Sequence, residues 1–141
     1  MKKGIIALFA LIMLASCGNT TTSKNNESGC CNTETKATTT GTVEVLYMHG
    51  KQRCATCIAI GKEAEAFVKE LGNNKVVMKT VDFSTPEGEK IADKYEIASS
   101  SLILIKDGKV DNLTSMGFQY ARNNPEQFKK NLSESIHKML K

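Results

Sequence analysis

Residues 43–72 read VEVLYMHGKQRCATCIAIGKEAEAFVKELG, and the fold turns on them. Val43, Val45 and Tyr47 alternate with Glu44, Leu46 and Met48 in a β-prone run that closes at His49 and Gly50, which predicts a first strand. From Cys57 onward Ile60, Ala64, Phe67, Val68 and Leu71 recur at helical spacing, and Gly72 supplies a carboxyl-terminal stop. Between strand and helix stands Cys54-Ala55-Thr56-Cys57. A Cys-x-x-Cys that opens a helix sets its first sulfur beside unsatisfied amides and the positive end of the helix dipole, which stabilises the thiolate and lowers its pKa below about 8.5. Arg53 adds a fixed positive charge next door. Cys57, one turn on, is expected to be less exposed and able to attack a mixed disulfide formed at Cys54. The pair is then a two-electron dithiol/disulfide couple. The same residues also admit an inert buried pair, a permanent disulfide or half of a zinc site. A zinc site would be short of ligands, since the domain holds no second close cysteine pair and only His49 and His137 as imidazoles.

Downstream, Lys75 to Asp82 is rich in valine and predicts a second strand. Ser84, Thr85, Pro86 and Glu87 suggest a capping box with proline in the first turn of a second helix that ends near Tyr95. Leu102 to Ile105 and Val110 to Met116 read as strands around Lys106-Asp107-Gly108-Lys109, because Asp-Gly between apolar runs marks a hairpin. Asn124, Pro125 and Gln127 open a last helix, on which Phe128, Leu132, Ile136, Met139 and Leu140 repeat at 3.6-residue spacing. The order β-α-β-α-β-β-α asks for an α/β domain: a mixed four-stranded central sheet with helices on both faces.

A chain of 141 residues has room for one ordinary domain, which excludes a multidomain enzyme. With no Trp, five Phe and three Tyr there is little aromatic surface for stacking bases, so no nucleic-acid partner is expected. The formal charge of +4 includes Lys2 and Lys3, and it falls to +2 if the first segment is removed. Such a balance implies no strong electrostatic partner.

That first segment has the layout of a secretory signal. Lys2 and Lys3 precede an apolar run from Ile5 to Ala15, too short for the roughly 18 to 20 residues of a membrane span. Leu14-Ala15-Ser16-Cys17 resembles the bacterial lipobox, so residues 1–16 are expected to be a lipoprotein signal peptide and Cys17 the lipidated anchor in the bilayer. Two or three acyl chains hold a protein far more firmly than one. Residues 17–42 are rich in Thr, Ser and Asn, with almost nothing apolar to bury, and read as a disordered tether. The domain proper is expected to span residues 43–141.

In residues 43–140 the chain resembles the thioredoxin superfamily. Besides strand, Cys54-x-x-Cys57 and helix, the stretch from Val81-Asp82 through Pro86 to Lys94-Tyr95-Glu96-Ile97 is similar to that family's central strand and following helix. Leu102 to Gly108 is similar to its apolar strand and Lys-Asp-Gly turn, and Gly117 to the glycine after its final strand. More narrowly, Tyr47 to Cys57 and Tyr120 to Phe128 resemble a bacterial family known as the ArsF-type nitrophenyl compound nitroreductase subunit. That likeness implies an electron-supplying or arsenic-related accessory role. No flavin or nicotinamide site and no glycine-rich phosphate loop accompanies it, so direct nitroreduction is not read from these residues.

Departures from thioredoxin are informative. Arg53 replaces the tryptophan before the first cysteine, and Ala55-Thr56 replaces Gly-Pro, changes expected to tune potential and partner choice. Ser100 stands where most thioredoxins place a cis-proline facing the dithiol. In the family that proline helps dock substrate and discourages metal capture, so Ser100 weakens the likeness to a general thioredoxin and favours ligand binding. The buried acid of thioredoxin is missing too, with Met48 or His49 near its place. His49 is either a base for proton transfer or a strand-end histidine that bonds backbone.

Cys30 and Cys31 cannot easily form an unstrained disulfide with each other. They read as a trap for soft species such as arsenite or copper(I), as a relay exchanging disulfides with Cys54 and Cys57, or as incidental cysteines. The expectation is a lipid-anchored thiol-disulfide oxidoreductase in a bacterial cell envelope, periplasm-facing or extracellular, with Cys54 attacking and Cys57 resolving. Dithiol and disulfide are its only redox groups. It would act on protein or small-molecule disulfides and, as the resemblance implies, draw electrons from a membrane thiol carrier. The alternative is a noncatalytic lipoprotein that binds arsenite or a soft metal ion and hands it to a transporter.

Overall fold

Strand β1 (Val43–His49) runs through the middle of the sheet and is buried on both faces. The computed structural model describes residues 41–141. The expected signal peptide of residues 1–16, the expected anchor Cys17 and the segment carrying Cys30 and Cys31 lie outside the described residues. The strand order is β2-β1-β3-β4. β2 (Val76–Asp82) lies parallel to β1, from Val43 opposite Val76 to His49 opposite Asp82. A parallel neighbour needs a crossover, and α1 (Ala55–Leu71) provides it. On the other side β3 (Ser101–Lys106) runs antiparallel, with Met48 opposite Ser101, and β4 (Lys109–Asn112) completes the hairpin. Asp107 and Gly108 both have positive φ there, 48° and 81°, as a two-residue turn of this kind requires.

Alternation along β1 divides the core. Val43, Val45 and Tyr47 join Ile60 and Ala64 of α1 and Phe128, Leu132 and Ile136 of α4 (Pro125–Leu140) on one face. Leu46 and Met48 point the other way, into a smaller cluster with Ile103, Ile105 and Ala92 of α2 (Pro86–Lys94). Both faces are therefore covered by helices. Double coverage also explains why Leu46 and Met48, on the face opposite Val43, Val45 and Tyr47, are apolar rather than solvated.

Two features differ from the sequence reading. Val110 to Met116 is not one strand: β4 stops at Asn112 and a further helix, α3 (Thr114–Tyr120), follows, so the order is β-α-β-α-β-β-α-α. The Asn112 side chain accepts the Thr114 N–H at 3.0 Å, and Leu113 already accepts from Gly117 N–H at 2.9 Å, which commits the backbone to helix. Gly117 lies inside this helix rather than just beyond a strand, where a Cβ would press on Ile60 at 3.3 Å. The second feature is the cap of α2. Thr85, not Ser84, accepts the N–H three residues on, that of Gly88 at 3.1 Å, so no carboxylate completes a capping box. The Ser84 hydroxyl instead accepts the Lys51 N–H at 3.1 Å, linking α2's start to the loop before Cys54.

Candidate functional site

At the carboxyl-terminal end of β1 the chain leaves the sheet, crosses residues 50–53 and enters α1 at Cys54. Cys54 is extended, with φ −70° and ψ 161°, and its sulfur accepts the Cys57 N–H at 3.0 Å. That makes the sulfur the amino-terminal cap of the helix, the place an oxygen of Ser or Asp usually takes. Its carbonyl accepts the Ile58 N–H at 3.0 Å, closing the first turn. The same turn brings the two Cα atoms to 5.0 Å, and Cys54 and Cys57 form a disulfide. Their environments differ: Cys54 is exposed, whereas Cys57 is 8% exposed. A nucleophile needs an approach path and a resolving thiol does not, so the pair is asymmetric in the way such chemistry uses.

Arg53 is exposed beside Cys54 and lines a cleft of about 290 Å³ with Tyr47, Ile58, Lys62, Glu65 and Thr80. His49 is half-buried. Its Nδ1 lies 3.1 Å from the Gly50 carbonyl, and because a carbonyl only accepts, Nδ1 carries the proton. The ring bonds the strand-end backbone and packs 5.7 Å from the Tyr47 ring. Ser100 is half-buried in the bend before β3. With Met48 opposite Ser101, Ser100 falls at the level of His49, at the end of the sheet from which Cys54 emerges. The Ser101 hydroxyl donates to the Ser99 carbonyl at 2.9 Å and ties this bend together. No cis peptide bond occurs among the described residues.

Tyr47, which the sequence presents as a strand residue and as the first residue of the Tyr47-to-Cys57 resemblance, is also a member of the site. Its hydroxyl donates to the Cys57 carbonyl, and its ring occupies the space over Gly61. Burial pushes the phenol above its usual pKa near 10, and the Arg53 guanidinium opposes that shift. The signal was Gly61 itself, because an isolated glycine in a helical pattern usually has a packing reason. Among the described residues no group of three or more His, Cys, Asp or Glu is placed to hold a metal ion. Cys30 and Cys31 are outside that description.

No family model matches the chain, and no curated protein matches it. Solved structures do. Thioredoxin of Fasciola hepatica is 26% identical over 71% of this chain and 83% of its own, with a TM-score of 0.51. The fold is thioredoxin-like. The first thioredoxin domain of mouse protein disulfide-isomerase A4 shares this architecture at 13% identity, over 70% of this chain and 64% of that one, with a TM-score of 0.50. In the thioredoxin-like frame Cys54 and Cys57 occupy the junction of β1 and α1, and dithiol/disulfide exchange there needs no cofactor. These comparisons do not bear on the nitroreductase-subunit resemblance.

Proposed function

We propose that this chain is a thiol-disulfide oxidoreductase. The observation that carries the reading is the asymmetric Cys54–Cys57 pair, exposed sulfur first and shielded sulfur second, at the start of α1 in a thioredoxin-like domain. In the reducing direction the Cys54 thiolate attacks a substrate disulfide, forms a mixed disulfide and expels one substrate thiolate. Cys57 then loses its proton, attacks Cys54 and expels the second thiolate, so two electrons pass to the substrate. The lipobox-like Leu14-Ala15-Ser16-Cys17 supports placement on the outer side of a bacterial membrane, anchored through Cys17. Electrons would come from a membrane thiol carrier, and His49, Arg53 and Ser100 would support the site from its rim.

The test is equilibration of the chain, with Cys17, Cys30 and Cys31 changed to serine, against glutathione or dithiothreitol. A reversible two-electron couple is expected. A potential near about −270 mV marks a reductant and one near about −120 mV an oxidant. Cys57→Ser should trap mixed disulfides at Cys54. Failure to form the Cys54–Cys57 bond, or to trap any partner, sinks the proposal.

Ser100 in place of the proline favours a second reading, in which Cys54 and Cys57, with Cys30 and Cys31, bind arsenite or a soft metal ion for a transporter. Stoichiometric arsenite binding lost in Cys30→Ser with Cys31→Ser, without disulfide turnover, would decide for it. The arsenic-related accessory role belongs with this reading.

A further inference from the structure

We propose that Tyr47 is a positioning residue whose hydroxyl holds Cys57 in place for the resolving attack. This rests on the thiol-disulfide reading above. Tyr47 is fully buried on the α1 side of β1, and its hydroxyl donates to the Cys57 carbonyl. The ring reaches that far because Gly61 leaves room: a Cβ at Gly61 would come within 2.6 Å of the ring's Cε1. Helix geometry already points the Gly61 N–H at the same carbonyl, so the phenol is an additional donor and not the rescue of an orphaned group. A tyrosine under a glycine in mid-helix sacrifices helix propensity, and the bond to Cys57 is what the arrangement gains.

The chemistry gives this bond a purpose. In the oxidised protein Cys57 is held by the disulfide and by its N–H donating to the Cys54 sulfur. Both ties run through Sγ of Cys54. When Cys54 is taken up in a mixed disulfide, the first tie is broken and the second is disturbed. The Tyr47 bond, like the helical bond from the Gly61 N–H, involves neither sulfur, so breaking the disulfide does not itself remove it. Cys57 must then attack Cys54 before another thiol does, and a reacting atom held near its attack geometry reacts faster. The step is balanced: Cys57 gives up its proton, its sulfur bonds Cys54, the Cys54–substrate bond breaks, and the leaving thiolate carries away the electron pair.

The experiment uses the full chain with Cys17, Cys30 and Cys31 changed to serine, reduced and mixed with glutathione disulfide. Acid quenching, alkylation and mass measurement then count the glutathione adduct on Cys54 and the Cys54–Cys57 disulfide. In Tyr47→Phe the adduct should form at the parent rate and resolve roughly fivefold more slowly, the factor expected for one net hydrogen bond. Gly61→Ala keeps the hydroxyl but displaces the ring, and should give the same split. It also serves if Tyr47→Phe does not fold, with thermal melts reporting on both variants. Equal slowing of both phases, or no slowing of resolution, overturns the inference while leaving the oxidoreductase reading intact. A parent that never closes the Cys54–Cys57 disulfide overturns both.

Discussion

The sulfur of Cys54 accepts the backbone N–H of Cys57 at 3.0 Å, so the atom proposed to attack substrate is also the cap of α1. Structure and chemistry at this position are separable by substitution. Cys54→Ser keeps a capping atom and should leave the reduced protein's stability close to that of the parent. Cys54→Ala removes it and should cost about 0.5–2 kcal/mol. Urea unfolding of the reduced proteins measures the difference, and both variants should lack disulfide exchange.

Gly88 stands against the end of β2, where a Cβ would lie 2.0 Å from the Asp82 carbonyl oxygen and 2.9 Å from Phe83 Cα. The obstructing atoms are backbone, so no side chain can rotate away. Gly88→Ala should therefore cost about 1–3 kcal/mol or more, as overpacking does. Thermal unfolding should show a fall of several degrees for each kcal/mol, roughly 4–8 °C in a domain of this size. An unchanged melting temperature would mean that α2 can move off the sheet freely.

Asp82 accepts the Ser84 N–H at 2.8 Å. The Ser84 backbone and side-chain bonds, with smaller help from His49 and Lys51, hold the carboxyl below its ordinary range. The folded pKa is depressed, so this contribution is complete above the unfolded value of about 3.9 and is lost as pH falls through the folded value. Asp82→Asn should remove that dependence. The gap in urea midpoint between parent and variant should shrink as pH is lowered from about 5 toward 2.

The phenol of Tyr47 behaves in the opposite sense. Its folded pKa is raised by burial against the lowering effect of Arg53. A raised pKa on an acid means that the neutral form is the one the fold favours, so the contribution is present below about pH 10 and is lost as pH rises through the folded value. Tyr47 should therefore ionise late in an ultraviolet titration. Tyr47→Phe should abolish that late component.

Much of the architecture could be read directly from residues. Gly72, with φ 55°, ends α1, and Asn124 caps α4 by accepting the Gln127 N–H at 3.2 Å. Asp107-Gly108 turns the hairpin. These are short-range effects, in which the residue that carries the signal makes the bond. Thr114 to Tyr120 was harder. Thr114 and Met116 suit a strand locally, but Leu113 N–H donates to the Leu102 carbonyl at 2.9 Å, and the Thr114 hydroxyl accepts the Leu102 N–H at 3.1 Å. A partner eleven and twelve residues away, Leu102, holds the start of α3.

The site divides along the same line. Local spacing alone placed Cys54 and Cys57 on the first turn of a helix, since one turn brings residues three apart together. Alternation alone assigned Tyr47 to one face of β1. What lies over that face was decided by the packing of α1 across the sheet, which sets the Tyr47 hydroxyl against the Cys57 carbonyl and the ring against Gly61. Likewise the register of β3 on β1, with Met48 opposite Ser101, decided that Ser100 sits at the cysteine end of the sheet. Helix and turn signals act over a few residues and are written in order along the chain. Cross-strand register and helix-on-sheet contacts join segments far apart in sequence, and they exist only once the two buried clusters have closed around β1.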